Sequence, residues 1–346
     1  MGHTLRIAMS RLPTPNGILG PSYSLLPLES QLLLVTSVLG TSTSWVVYSL
    51  LNDAFTSGGG GGVVLVSFLN EVSYFCDGGK RHGLDIQSHL NKGDLIFVDG
   101  LSRLFLEASN SSRATPPRMP PSAGITPRGA IPTRTPISPR QQVPSTSSSN
   151  LPDPIRYVSI GAAGAKSLNV IKAAVQSLPT GGTRPRVIIE GLDVVMAAAG
   201  IDVAAIEDFL YELREVRIHT IPPTPLYYTV HHERPMLIKA NEQITSTMAV
   251  ISPSDSTLTH TSPSSTPLEL SHANLLLSLS HTADAILSLR LLDTGVAKDI
   301  SGVLRVTRGA GNLWRDGNAG VVEEKELLYH EADAGVRIFA RGSGGH

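Results

Sequence analysis

Gln31-Leu32-Leu33-Leu34-Val35-Thr36-Ser37, running on into Val38-Leu39-Gly40-Thr41-Ser42-Thr43-Ser44, is the stretch on which the fold turns. An unbroken apolar run this short reads as a strand buried on both faces, and the small residues through Gly40 read as the loop that leaves it. From Ser44 to Phe55 the period changes. Trp45, Tyr48 and Leu51, flanked by Val47 and Leu50, recur at helical spacing until the run Gly58 to Gly62 ends the helix through backbone freedom. A buried strand, a small-residue loop and a helix form the first half of a crossover unit, so the next strand should lie parallel to the first.

Outward from this unit the same alternation continues. Val63 to Leu69 reads as a second strand, a polar segment with Gly78, Gly79 and Gly83 follows, and Leu95-Ile96-Phe97-Val98 reads as a third strand closed by Asp99-Gly100. A helix is predicted from Lys166 to Leu178, then a buried strand, Arg186 to Glu190, that ends on an acid. The next helix, Asp202 to Val216, puts Val203, Ile206, Phe209, Leu210 and Leu213 on one face with Asp202 as its cap. His219 to Thr247 carries no assignment. Met248 to Ile251 reads as a strand, Ser252 to Pro267 as a long surface loop, and Leu268 to Leu279 as a helix. Ala285 to Leu292, Val303 to Thr307, Glu326 to His330 and Val336 to Ala340 read as antiparallel strands with glycine-containing turns. The predicted class is therefore α/β: a mostly parallel sheet flanked by helices, with C-terminal antiparallel β-hairpins.

Residues 108–152 break the pattern. They hold ten prolines, five arginines (Arg113, Arg118, Arg128, Arg134, Arg140), many Ser and Thr, and no acidic residue. Such a segment lacks the apolar mass to offset the entropy of ordering and is predicted to be disordered. Two readings stand beside each other: a tolerated loop insertion, or a basic arm whose five arginines attract phosphate backbone without sequence preference. The predicted organisation is thus an N-terminal extension (1–29), a first core segment (30–107), the Arg/Pro/Ser-rich insertion (108–152), a second core segment with the hairpin tail (153–342) and a flexible C-terminus (343–346).

Lys plus Arg number 28 against 29 Asp plus Glu, so no global basic field announces a nucleic-acid binder. A single cysteine, Cys76, rules out an internal disulfide and a zinc site built on several cysteines. No unbroken apolar run is long enough to span a bilayer, and no secretory leader pattern is present, so the expected location is cytoplasm and nucleus. His231-His232-Glu233 is no metal motif: adjacent histidines diverge, and a third ligand is not evident. No nucleophile elbow of the G-x-S-x-G type occurs.

The strand, loop and helix of residues 32–55 occupy the setting of a phosphate-binding P-loop, but the chemistry is missing. Such a loop needs glycines that let backbone N–H groups wrap phosphate, a lysine that reaches the terminal phosphates, and a Ser or Thr on magnesium. Laid on this chain, Ser37 and Ser42 replace the two glycines, Thr43 replaces the lysine, and only Ser44 fits. Gly40, Thr43 and Ser44 thus make a degenerate loop, with Glu190 at the position of the acid that would oppose it. A structural role for Glu190 or Asp193, capping or pairing locally, is expected. Glu71 sits where a water-activating acid would stand, but without a phosphate site it reads as a solvated charge. Trp314 and Tyr329 read as packed aromatics. No catalytic residue, cofactor or metal is expected.

Glu71 to Phe75, Gly79 to Gly83 and Gly93 to Leu101 resemble the Elongator complex protein 6 family, as do Val187 to Leu192, Ser280 to Asp284, Leu287 to Arg290, Gly295 to Asp299, Gly302 to Arg305 and Phe339 to Gly342. The blocks keep the family's order through about two thirds of the chain. The resemblance implies a RecA-like fold and a place beside Elongator proteins 4 and 5 in a hetero-hexameric ring that binds transfer RNA. It also implies membership of the complex that supports wobble-uridine (U34) modification to the 5-carbamoylmethyl and 5-methoxycarbonylmethyl forms. In that complex a different subunit, with an iron–sulfur centre and acetyl-CoA, carries the chemistry. The competing readings are an atypical RecA-like ATPase whose degenerate loop borrows a lysine in trans, and a recombination-type paralogue acting on DNA, which should lack the tail blocks.

Overall fold

A computed structural model describes residues 5–6, 31–56, 62–106, 153–178, 185–214, 247–311 without 294, 296 and 298, 322–332 and 335–341. In chain order it contains β1 (Leu5–Arg6), β2 (Leu32–Ser37), α1 (Ser44–Thr56), β3 (Val63–Ser67), α2 (Val72–Arg81), α3 (Ile86–Lys92), β4 (Leu95–Asp99) and β5 (Ile155–Tyr157). A 3-10 segment, Gly161–Leu168, leads into α4 (Asn169–Gln176), followed by β6 (Arg186–Glu190), α5 (Leu192–Ala199), α6 (Val203–Arg214) and β7 (Thr247–Pro253). The chain closes with α7 (Ser256–Thr259), α8 (Pro267–Thr282), β8 (Ala285–Arg290), β9 (Gly302–Arg308), β10 (Lys325–Ala332) and β11 (Gly335–Ala340).

Among the described residues all the strands join one sheet, in the order β1-β11-β10-β9-β8-β2-β7-β6-β3-β4-β5. From β8 to β5 every neighbouring pair is parallel, and from β8 to β1 every pair is antiparallel. β2 lies deep inside this order, with β7 and β8 on its two sides. That explains its continuous apolar run, since a strand covered on both faces has no polar face to show.

Alternate residues feed two cores. Leu33, Val35, Leu65, Phe97 and Ile188 point to the side covered by α1, α2 and α3, where Trp45, Leu51, Phe75 and Leu90 meet them. Leu34, Val64, Val66, Val187 and Ile189 point to the side covered by α4, α5, α6 and α8. Leu304, Val306, Leu327, Tyr329 and Ile338 of the antiparallel strands belong to the α1 side, so the tail completes the first core rather than forming a separate layer.

The connections run both ways along the sheet. The chain leaves β3 toward β4 and leaves β6 toward β7, in opposite directions from adjacent strands. A crevice opens at the carboxyl ends of strands where connections diverge in this way.

Several sequence expectations are corrected. Ala285 to Leu292 is not simply a hairpin strand: β8 pairs parallel with β2 on one side and antiparallel with β9 on the other, so it is the junction between the two regimes. Ser252 to Pro267 is not a loop throughout, because β7 continues through Pro253 and α7 interrupts the rest. The second strand stops at Ser67, short of Leu69. The helix expected from Lys166 is α only from Asn169. Asp202 does cap α6, its Oδ1 accepting the Ala205 N–H at 2.7 Å. The insertion with Arg113, Arg118, Arg128, Arg134 and Arg140, the residues of the 1–29 extension other than Leu5 and Arg6, the unassigned stretch up to residue 246, His231-His232-Glu233, Trp314 and the C-terminus 343–346 lie outside the described residues.

Candidate functional site

The sheet brings Gly40, Thr43, Ser44 and Glu190 to one rim, the carboxyl ends of the parallel strands, with β7 between β2 and β6. The loop from Val38 to Thr43 is built as a turn: the Thr41 N–H and hydroxyl both donate to the Val38 carbonyl, at 3.0 and 2.7 Å. Gly40 takes a positive φ of 91°, a conformation that favours glycine, with Leu291 alongside. The Thr43 carbonyl starts α1 by accepting from Val46 and Val47.

Three polar groups of this loop and of the start of α1 are engaged by residues that sequence reading does not find. Asp255 Oδ1 accepts the Leu39 N–H at 2.8 Å, Ser42 Oγ donates to Glu331 Oε1 at 3.3 Å, and the Ser44 and Tyr74 hydroxyls lie 2.7 Å apart. Burial pushes the Glu331 carboxyl above the ordinary glutamate range. Two carboxyl groups therefore line the loop, one already holding a backbone N–H. A phosphate would meet acids where a P-loop offers donors. No local sequence signal announces these partners, which stand 216 and 289 residues from the groups they bind.

Glu190 is 4% exposed. It faces Ser67, its register partner on β3, and one oxygen, Oε1, accepts both the Ser67 hydroxyl at 2.6 Å and the Asn70 amide at 3.0 Å. Ser67 Oγ in turn accepts the Leu69 and Asn70 N–H groups. Glu190 thus fastens the turn after β3 to the end of β6 and fills the divergence crevice, the local pairing expected of it. Burial raises its pKa, against the opposite pull of the two hydrogen bonds. Such a raised acid is stabilising below its ordinary value, and that contribution is lost as pH rises through the folded value. Glu190→Gln keeps an acceptor for both donors and removes the charge. Its stability relative to wild type should therefore grow between pH 5 and pH 8 in urea titrations, and an equal difference at both pH values would show that the carboxyl is unperturbed.

Glu71 is exposed at the start of α2 and makes no capping bond. Tyr329 is buried, its hydroxyl pushed up to about 12 by desolvation. Ser252 Oγ and His272 Nε2 meet at 3.4 Å between β7 and α8, but exposures of 1% and 3% close them to any substrate, so they serve as a polar tie. Among the described residues no cluster of three metal-ligating side chains occurs, and no helix is long and apolar enough to cross a membrane.

The rim carries a second feature: exposed apolar side chains. Leu39 follows β2, Leu69 and Tyr74 follow β3, Leu101, Phe105 and Leu106 follow β4, and Leu291 follows β8. Leu39 is 85% exposed and Phe105 65%. Concentration of large apolar groups on one edge marks a contact surface more than scattered exposure does.

Compared with known proteins, the chain matches no family model, and no curated protein matches it.

Proposed function

We propose that the chain is a non-catalytic, RecA-like subunit of a larger assembly, and that the assembly is Elongator, with this chain in a hetero-hexameric ring beside Elongator proteins 4 and 5. The exposed apolar rim carries the reading. A rim of leucines, a tyrosine and a phenylalanine at the carboxyl ends of the sheet suits a subunit that buries this edge against a neighbour. The β2–α1 loop supports the non-catalytic part: it lacks a lysine, and Asp255 and Glu331 hold its Leu39 N–H and Ser42 hydroxyl. The parallel sheet with helices on both faces supports the RecA-like part. In this reading transfer RNA binds the assembled ring, the wobble-uridine chemistry belongs to another subunit, and the work takes place in cytoplasm and nucleus. A basic contact from Arg113, Arg118, Arg128, Arg134 or Arg140 would be an accessory one.

Co-expression with Elongator proteins 4 and 5, followed by mass determination and transfer-RNA binding, tests the proposal. A three-protein hexamer that binds transfer RNA, unchanged by Ser44→Ala or Glu190→Gln, is the expected result. A lone soluble protein that ignores both partners and hydrolyses ATP overturns it in favour of an atypical ATPase. Leu39→Glu with Phe105→Glu should weaken assembly by about tenfold or more while leaving the fold intact, because both side chains are exposed.

A further inference from the structure

Three described hydroxyl–proline pairs have the minimal sequence that a proline-directed protein kinase reads: Ser252-Pro253, Ser262-Pro263 and Thr266-Pro267. Sequence alone gives them equal standing. The fold places them in three different environments.

Ser252 is a residue of β7, paired with Thr36 of β2, hydrogen-bonded to His272 and 1% exposed. A kinase could reach it only if the centre of the sheet opened. Thr266 is exposed and extended, with ψ at 157°, but its hydroxyl accepts the Glu269 N–H while Glu269 Oε2 accepts the Thr266 N–H. Its modification requires that reciprocal cap at the start of α8 to release. Ser262 is exposed, and its bonds stay within one turn: its hydroxyl meets those of Ser264 and Ser265, its N–H donates to Ser265 Oγ, and its carbonyl accepts the Ser265 N–H. Releasing them disturbs no helix or strand.

We propose that Ser262 is a phosphorylation site for a proline-directed serine/threonine kinase. In the transfer, Ser262 Oγ forms a bond to the γ-phosphorus of ATP, the bond from that phosphorus to the β–γ bridging oxygen breaks, ADP leaves, and the hydroxyl proton passes to the kinase's base. Residues 252–267 contain no Lys or Arg, so the loop itself offers no Lys or Arg to offset the charge that phosphate brings. The loop is tied to the rim by the Ser254 N–H on the Ser37 carbonyl and by Asp255 on the Leu39 N–H. The modification therefore adds negative charge to the loop that flanks the apolar rim. That last consequence rests on the assembly reading, whereas the labelling itself does not.

The test is a time course on the folded full-length chain with a kinase of the mitogen-activated class and ATP, resolving phosphate at each site by mass spectrometry. A synthetic peptide spanning residues 250–270 provides the unstructured reference. The peptide should label at all three positions at comparable rates. In the folded chain Ser262 should keep its peptide rate within about tenfold, Thr266 should fall behind Ser262 by about fivefold through the cap, and Ser252 should fall more than about a thousandfold behind. Ser262→Ala should remove the fastest of these three events and leave Thr266 labelling. A folded chain in which Ser262 labels no faster than Ser252, or a peptide that stays unlabelled at Ser262, overturns the proposal. Should Ser262 label as expected and the phosphorylated chain still join Elongator proteins 4 and 5 unhindered, the site stands and only its effect on the rim fails.

Discussion

Replacing Trp45 by Ala should destabilise the chain by about 3–5 kcal/mol, the usual cost of emptying a large aromatic site. Trp45 is the first apolar residue of α1, fully buried, with its ring 5.2 Å from that of Tyr329 on β10. It joins the helix after β2 to the antiparallel tail, so the cavity would open where two parts of the first core meet. Domains are typically stable by only about 5–15 kcal/mol, so the loss takes about a fifth or more of the total. Urea titration followed by circular dichroism measures it. Trp45→Phe keeps a ring against Tyr329 and removes an indole N–H that has no partner, so it should lose far less than the alanine variant. Equal losses from both would mean that the ring contact does not carry the junction.

Gly309→Ala should cost about 2–4 kcal/mol for the smallest possible addition, one methyl group, by overpacking and lost backbone bonds. A Cβ at Gly309 would stand 2.0 Å from the Ala283 carbonyl oxygen, which is backbone and cannot rotate away. The same carbonyl accepts the Gly311 N–H, and the Gly309 N–H donates to the Asp284 carbonyl. Moving the chain apart therefore breaks both bonds. It also disturbs Asp284, whose carboxylate accepts the buried Leu32 N–H at 2.7 Å. Gly83→Ala is the comparison: its Cβ would meet nothing within 4 Å, leaving only the strain of a positive φ. A Gly309 variant no less stable than the Gly83 variant would place the close approach elsewhere.

The parallel core was legible because burial on both faces writes itself into local sequence. β2, β3, β4, β6 and β7 each appear as a short apolar run, and only their ends shift by a residue or two. α2 was harder, since Gly78 and Gly79 argue against a helix. Packing explains them: a side chain at Gly78 would strike the Tyr48 hydroxyl, and one at Gly79 would strike Ile86. Close approach of helices overrides propensity there. β8 reads as an ordinary hairpin strand because its buried residues alternate, and nothing local reveals that its other neighbour is β2. α5 is a short apolar segment with no strong period, so its sequence carries no helix signal. At the site, Glu190 and the loop could be placed on the rim from strand polarity alone. Asp255, Glu331, Ser67, Asn70 and Tyr74 could not, because each meets its partner only through the strand order.

That strand order also governs how the chain is made. β2 emerges first among the central strands, yet its two neighbours are β7 and β8, and the buried bond from Leu32 to Asp284 joins residues 252 positions apart. Throughout the synthesis of everything before residue 247, β2 and the apolar helix behind it have no lateral partner in the sheet. Late closure of this kind makes folding slow and leaves sticky intermediates in the nascent chain. A premature stop anywhere before β7 would release a polypeptide with its central strand unpaired on both sides, a substrate for chaperones and proteases rather than a smaller version of the same domain.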